Sequence, residues 1–287
     1  MDLPLPDSSG LPPLLIDRPQ RQSAPVVFVS AHSGRNYPPD LLAASRLDAT
    51  ALRRSEDCYV DELFATAPSS GAPLLRATFA RAYCDPNREK WELDPAMFRE
   101  RLPGWVNTDS LRVAAGLGTL ARVVATGEPI YRERLSFAEA EHRVATLWQP
   151  FHDALAALIA ETRAQFGTCL VVDCHSMPAS SLSPRGAADV VLGDAHGTAC
   201  APWAMREAEQ TLQALGYRTR RNEPYAGGYI TRHYGRPREG VHALQIELAR
   251  DLYMDEPSLR RLPRFASVQA DMAVLIARLT AGQIPSA

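Results

Sequence analysis

Thr168-Cys-Leu-Val-Val-Asp-Cys-His175 decides the fold. A strand with one face in water alternates apolar and polar residues, whereas this run is apolar at four successive positions before Asp173. Such a run suits a strand covered on both faces, as in a parallel sheet flanked by helices. Pro25-Val-Val-Phe-Val-Ser-Ala-His32 and Ala188-Asp-Val-Val-Leu-Gly-Asp194 have the same form, and Ala243-Leu-Gln-Ile-Glu-Leu248 alternates more. The stretch from Ser136 to Phe166 reads as helical, with Ser136 as N-cap and Glu139, three residues on, as its capping-box partner. Pro150 lacks the N–H that an uninterrupted helix needs, so this stretch is either one kinked helix or two in succession. Ala199 to Ala214, closed by Gly216, and Pro257 to Leu279 supply further helices. Strands separated by helices require crossover connections. The expectation is therefore a single α/β domain over residues 24–287, with a mixed, mostly parallel sheet flanked by helices. Prolines 4, 6, 12, 13 and 19 make residues 1–23 an extended arm instead of a packed element.

Composition narrows the function. The 287 residues carry 31 Lys+Arg against 33 Asp+Glu, a formal charge of −2, which offers no electrostatic basis for binding nucleic acid or an anionic membrane. The longest apolar run, Ala154 to Ala160, is far short of the roughly 20 residues of a membrane span. Five cysteines, an odd number without a C-x-x-C pair, argue against a disulfide framework or a cysteine zinc cluster. The first residues lack the basic and apolar regions of a signal peptide, so a reducing, cytoplasmic setting is expected.

The chemistry concentrates where strands end. In open α/β sheets, sites lie outside the carboxyl ends of the strands. Two of the strands run into histidine, at His32 and His175. Each alone reads as a strand cap or a buried hydrogen-bonding group. Together at one sheet edge they suit a divalent metal, zinc above all, which takes nitrogen and carboxylate ligands and keeps a position for water. The third ligand should be an acid. Glu56 and Asp57 follow Ser55, which can cap the amphipathic run Tyr59, Val60, Leu63, Phe64, so helix capping explains those acids equally well. Asp173 is a further choice, or it orients His175 from behind.

Other candidates surround these. Cys84-Asp-Pro-Asn-Arg88 places Asn87 beside Arg88, with Arg81 four residues before Asp85. Planar guanidinium forks hold carboxylates, and Asp85 can pre-align one of them; a surface turn set by Pro86 is the plainer account. Glu247 sits between aliphatic neighbours, and partial burial raises a carboxyl's pKa toward that of a general acid/base. An ion pair with Arg250, or an exposed edge-strand position, competes with that reading. Gly227 to Gly235 reads as a glycine-bounded loop from which Arg232 and His233 reach a substrate. The turn Gly193-Asp-Ala-His-Gly197 is expected at the same carboxyl edge, while His142, His152 and His242 are taken as structural. No phosphate-binding glycine loop or nucleophile elbow is present, so an NTPase and a serine hydrolase are unsupported.

The ordered set His32-Ser-Gly34, Glu56-Asp57, Asp85-Pro-Asn87-Arg88, Asp173-Cys-His175-Ser176 and Gln245-Ile-Glu247 resembles the N-formylglutamate amidohydrolase family over roughly residues 25–255. The resemblance implies a zinc-carboxypeptidase-like (phosphorylase/hydrolase-like) fold and one bound Zn2+. It implies hydrolysis of N-formyl-L-glutamate, a small anionic amino-acid derivative, to glutamate and formate in histidine degradation. Carried over by position, His32 and His175 are metal ligands, Glu247 is the acid/base, and Asn87 and Arg88 resemble the pair that holds a substrate carboxylate in carboxypeptidase and aspartoacylase relatives. Arg81, Arg232 and His233 are added as anionic contacts. Those relatives place a glutamate ligand three residues after the first histidine, where this chain has Arg35, so Asp57 or Glu56 is expected to serve instead. Hydrolysis of another N-acyl amino acid or a peptide end is the nearest alternative. A ureohydrolase is disfavoured because Met177 stands where Asp-x-His-x-Asp needs its second aspartate. A module binding small acidic ligands through Arg81 and Arg88, without metal or turnover, is the non-enzymatic alternative.

Overall fold

Val171 and Val172 lie at the centre of β4 (Cys169–Met177), a strand buried at all nine positions, as a run apolar on both faces requires. The computed structural model describes residues 10–182 and 188–282. The remaining strands are β1 (Leu14–Asp17), β2 (Val26–Ser30), β3 (Leu74–Ala77), β5 (Val190–Gly193), β6 (Thr219–Arg221) and β7 (Val241–Ala249). They form one sheet in the order β1-β3-β2-β4-β7-β5-β6. β2, β4 and β7 run parallel, β5 is antiparallel to β7, and β6 is parallel to β5, so the sheet is mixed and mostly parallel as expected. Helices α1 (Pro39–Ala44), α2 (Ala49–Arg53), α3 (Val60–Leu63), α4 (Leu111–Ala114), α5 (Phe137–Arg143), α6 (Gln149–Phe166), α7 (Pro202–Ala214), α8 (Tyr229–Tyr234) and α9 (Phe265–Ala281) complete the regular structure. Among the described residues no helix is long and apolar enough to cross a membrane. All five cysteines are buried, and none is in a disulfide.

Contacts gather the chain into two compact units. One comprises Met1–Leu15, Ala31–Glu56 and Arg76–Ala154; the other comprises Ile16–Ser30, Asp57–Leu75 and Leu155–Ala287. The first is rich in turns and short helices around two apolar clusters, one built on Leu41, Leu52 and Ile130 and one on Leu93, Phe98 and Leu120. Gly34 belongs to it for a steric reason: a Cβ there would stand 2.0 Å from the Phe79 carbonyl oxygen. The missing side chain lets Asn36 pair with the following strip, its N–H donating to Thr78 O and its carbonyl accepting from Ala80 N. The loop after β2 is thereby held beside the segment leading to Asp85.

Ser136 caps α5, and the capping box with Glu139 is complete. Ahead of Pro150 the helix widens into a π-turn over Val144–Trp148 before continuing as α6. The proline ring cannot tolerate the carbonyl four residues back, and the wider turn absorbs that conflict without breaking the rod.

Several expectations need correction. Part of the arm pairs in the sheet: residues 14–17 are extended, as prolines favour, but form β1, while residues 1–9 lie outside the described set. The last helix starts at Phe265, because residues 254–255 and 260–261 form a small antiparallel ladder first. Gly193 to Gly197 follows β5, and an antiparallel strand delivers its end to the opposite edge from β4 and β7. There Asp194 serves the turn, accepting from Gly197 N and from Asn222 Nδ2.

Candidate metal centre

The alternation of β4 sorts its polar residues. Asp173 and His175 share one face, Cys174 the other, because successive strand side chains point oppositely. In the parallel register Asp173 lies opposite Gln245 and His175 opposite Glu247. Two adjacent strands therefore place an imidazole, an amide and two carboxylates side by side on one buried face. His175 is 2% exposed. Its Nε2 is 2.8 Å from Asp173 Oδ1 and its Nδ1 is 2.9 Å from Asp57 Oδ2. Burial opposes a charged ring, but Asp173, Asp57 and Glu247 overcome it and hold the His175 pKa well above the ordinary imidazole range.

Asp57 is fixed from its other side. Its Oδ1 accepts from Arg250 Nη2 at 2.9 Å, and Arg250 Nε donates to Ser176 Oγ at 3.2 Å. The ion pair weighed for Glu247 thus belongs to Asp57. Glu247, buried, instead accepts from Gln245 Nε2 at 2.8 Å, while Gln245 Oε1 accepts from Gly228 N at 2.7 Å.

His32 is also buried, and its Nε2 lies 2.7 Å from Asp85 Oδ1. Asp85 accepts from Arg81 Nη2 at 2.8 Å and from Asn87 N at 2.8 Å, with Arg88 Nη2 at 3.7 Å. Burial alone would raise this carboxyl, yet Arg81 and Arg88 keep it well below the usual carboxylate range. A carboxylate at Nε2 orients the imidazole from behind, as carboxylates behind metal-binding histidines do.

His32, Asp57 and His175 each offer one ligand atom, and these atoms lie within 4.8 Å of one another, all three residues being buried. Tetrahedral zinc with bonds of about 2.0–2.1 Å separates its ligand atoms by roughly 3.3 Å, so the spacing suits one cation. The donor chemistry fits too: two imidazoles backed by Asp85 and Asp173, plus one carboxylate backed by Arg250, are the types that zinc takes while keeping a place for water.

Glu56 does not join this group. Its carboxylate accepts from Arg53 Nε at 2.9 Å and from Tyr37 OH at 3.1 Å, with Arg35 at 3.9 Å. Nor does Ser55 cap a helix: its Oγ accepts from Ala125 N, and Asp57 is followed by a left-handed Tyr59 at the start of α3. The acids are presented between α2 and α3, not in a first helical turn.

Asn87 and Arg88 form a braced turn. Arg88 donates from Nε to Leu117 O and from Nη1 to Asn87 O, both at 2.7 Å. Trp148 Nε1 donates to Arg88 O, and His152 Nε2 is 2.8 Å from Pro86 O, so His152 is structural as expected. Arg81 keeps 21% of its side chain exposed. The expected glycine loop is helix α8, whose buried side carries Ile230 and Thr231, with Thr231 Oγ1 3.4 Å from Asp173 Oδ2. Arg232 and His233 lie on its exposed side, Arg232 Nε bonded to Gly227 O and His233 stacked on Tyr229. A helical turn alternates its faces, which is why Thr231 and not its neighbours meets the sheet. The contact roles of Gln245 and Thr231, and that of Arg250 toward Asp57, went unread in the sequence. A buried arginine just beyond β7 was the one available signal.

Fold and site together define an α/β protein whose central parallel strands end in buried imidazoles and carboxylates able to hold a divalent cation. The model of the N-formylglutamate amidohydrolase family matches residues 24–254, and the chain belongs to that family. It is similar to the N-formylglutamate deformylase of Pseudomonas aeruginosa, with 32% identity over 243 residues covering 83% of this chain and 85% of that one. A second N-formylglutamate deformylase, from Pseudomonas putida, is 31% identical over 70% of this chain and 71% of its own. The crystal structure of N-formylglutamate amidohydrolase from Ralstonia eutropha JMP134 superposes with a TM-score of 0.90 at 35% identity, covering 94% of this chain and 98% of that one.

Proposed function

We propose that this protein hydrolyses the formyl amide of N-formyl-L-glutamate to glutamate and formate, a step of histidine degradation, in the cytoplasm. The observation that carries the reading is the His32–Asp57–His175 cluster in a chain more than 30% identical, over most of its length, to two N-formylglutamate deformylases.

His32 and His175 through Nδ1, and Asp57 through a carboxylate oxygen, would hold one divalent ion, which we assign as zinc. A bound zinc polarises a carbonyl and lowers the pKa of a coordinated water toward 7. Asp85 and Asp173 keep the two imidazoles oriented, and Arg250 keeps Asp57 aimed. Glu247 takes the proton from the attacking water and returns it to the departing nitrogen. Gln245 holds the Glu247 carboxylate in place by donating to one of its oxygens. Arg81, pre-aligned by Asp85 and still partly exposed, receives a substrate carboxylate, while Arg88 and Asn87 stiffen the turn behind it.

Formate release and metal content, measured on the same preparation against N-formyl-, N-acetyl- and peptide substrates, test the reading. We expect stoichiometric metal and turnover confined to N-formylglutamate. Glu247→Gln should lower kcat by at least about a hundredfold, in line with the usual worth of general acid/base catalysis, while metal remains bound. Full activity in that variant removes Glu247 from the mechanism. Arg81→Lys should act mainly by raising KM.

A further inference from the structure

Four arginines, Arg46, Arg122, Arg132 and Arg134, line one cavity of about 210 Å3 in the unit that contains Asp85. The 31 Lys+Arg are balanced by 33 Asp+Glu over the whole chain, so what sets this group apart is that acids are not paired with most of it. The acids beside it are already committed. Asp94 Oδ2 accepts from Arg122 Nε at 2.7 Å, and Glu133, 83% exposed, pairs with Arg99 at 3.3 Å. Among the described residues no carboxylate pairs with Arg46, Arg132 or Arg134.

The backbone under these arginines is fixed. Ser45 and Tyr131 form an antiparallel bridge, Arg46 N donates to Ile130 O, and Arg132 N donates to Ala44 O. Arg132 Nε donates to Ser45 O, which orients its guanidinium, and Leu135 N donates to Met97 O just past Arg134. Tyr131 OH is taken by the buried Arg143. No residue of the metal cluster or of the Glu247 face lines the cavity. It is a separate place.

We propose that this cavity binds a small doubly charged oxyanion, inorganic phosphate or a short dicarboxylate. Guanidinium forks match paired anionic oxygens, and three of them without carboxylate partners repel one another until an anion enters. The volume sets the size. It is below the roughly 300–1,000 Å3 of sites for drug-sized ligands, so a nucleotide is too large, whereas a handful of heavy atoms fits.

Calorimetric titration with inorganic phosphate and, separately, with glutarate, each at an ionic strength matched by sodium chloride, tests the proposal. One of the two should bind saturably, and the one that does identifies the source. Arg46→Met/Arg134→Met should weaken that binding at least tenfold while formate release without added anion stays at the wild-type rate. Should the double variant fail to fold, the exposed single change Arg134→Glu must show the same tenfold loss. The proposal is overturned if neither anion binds beyond the chloride control. It is equally overturned if binding survives these substitutions, which would place the anion elsewhere.

Discussion

Asp173 illustrates how much one strand residue settles. Its carboxylate stands 2.8 Å from His175 Nε2 and also meets Thr231, so it orients the imidazole that faces Asp57. Losing such a carboxylate behind a metal-binding histidine typically costs 10–100-fold in metal affinity or activity. Asp173→Asn is expected to lose about that much metal affinity in competition with a chelator, with its fold unchanged by circular dichroism. Arg250 acts on the same cluster from the opposite side. Removing it breaks one of the two buried pairs of Asp57 and leaves His175 as the other, and breaking a buried pair costs about 3–5 kcal/mol. Arg250→Met should therefore lower the urea midpoint markedly, and an unchanged midpoint would show that Asp57 draws its support elsewhere.

Among the elements, β7 carries both the Glu247 face and, at its start, a titratable brace for α7. His242 Nδ1 accepts the N–H of Ala201, the N-cap residue just before α7, and His242 is 4% exposed. Burial holds its pKa below the ordinary imidazole value. The unfolded chain thus takes up the proton first, at about pH 6.5, and unfolding stability falls as pH drops below that point until the folded ring also protonates. His242→Gln should flatten the urea midpoint between pH 7.5 and 5, whereas wild-type protein loses stability over the same interval. At the head of α5 the prediction is simpler. Ser136 accepts from Glu139 N, and Ser136→Ala should destabilise by about 1 kcal/mol in chemical denaturation.

For the molecule as a whole, the proposed metal at the cluster would couple stability to its own binding. A ligand that binds only the folded chain raises stability by mass action. Stripping with a chelator should lower the Tm and abolish formate release, and restoring zinc should recover both. Recovery of the Tm without activity would separate the metal's structural contribution from its chemical one.

Continuous apolar runs announced β2, β4, β5 and the α/β architecture, because burial on both faces leaves no room for polar alternation. The histidines at the ends of two such runs, and the ordered family motifs between them, were equally plain in the chain. Partner choice was not. Glu56 and Asp57 are neighbours with the same chemistry, and only packing sent one to Arg53 and the other to His175 and Arg250. The direction of β5 was hidden for a related reason: its residues are apolar whichever way it runs, so the antiparallel pairing with β7 comes from the connection and not from the strand itself. Local sequence dictates which segments must be buried and which groups carry charge. Which charge meets which is a matter of distances between residues remote in the chain, and those exist only once the sheet has formed.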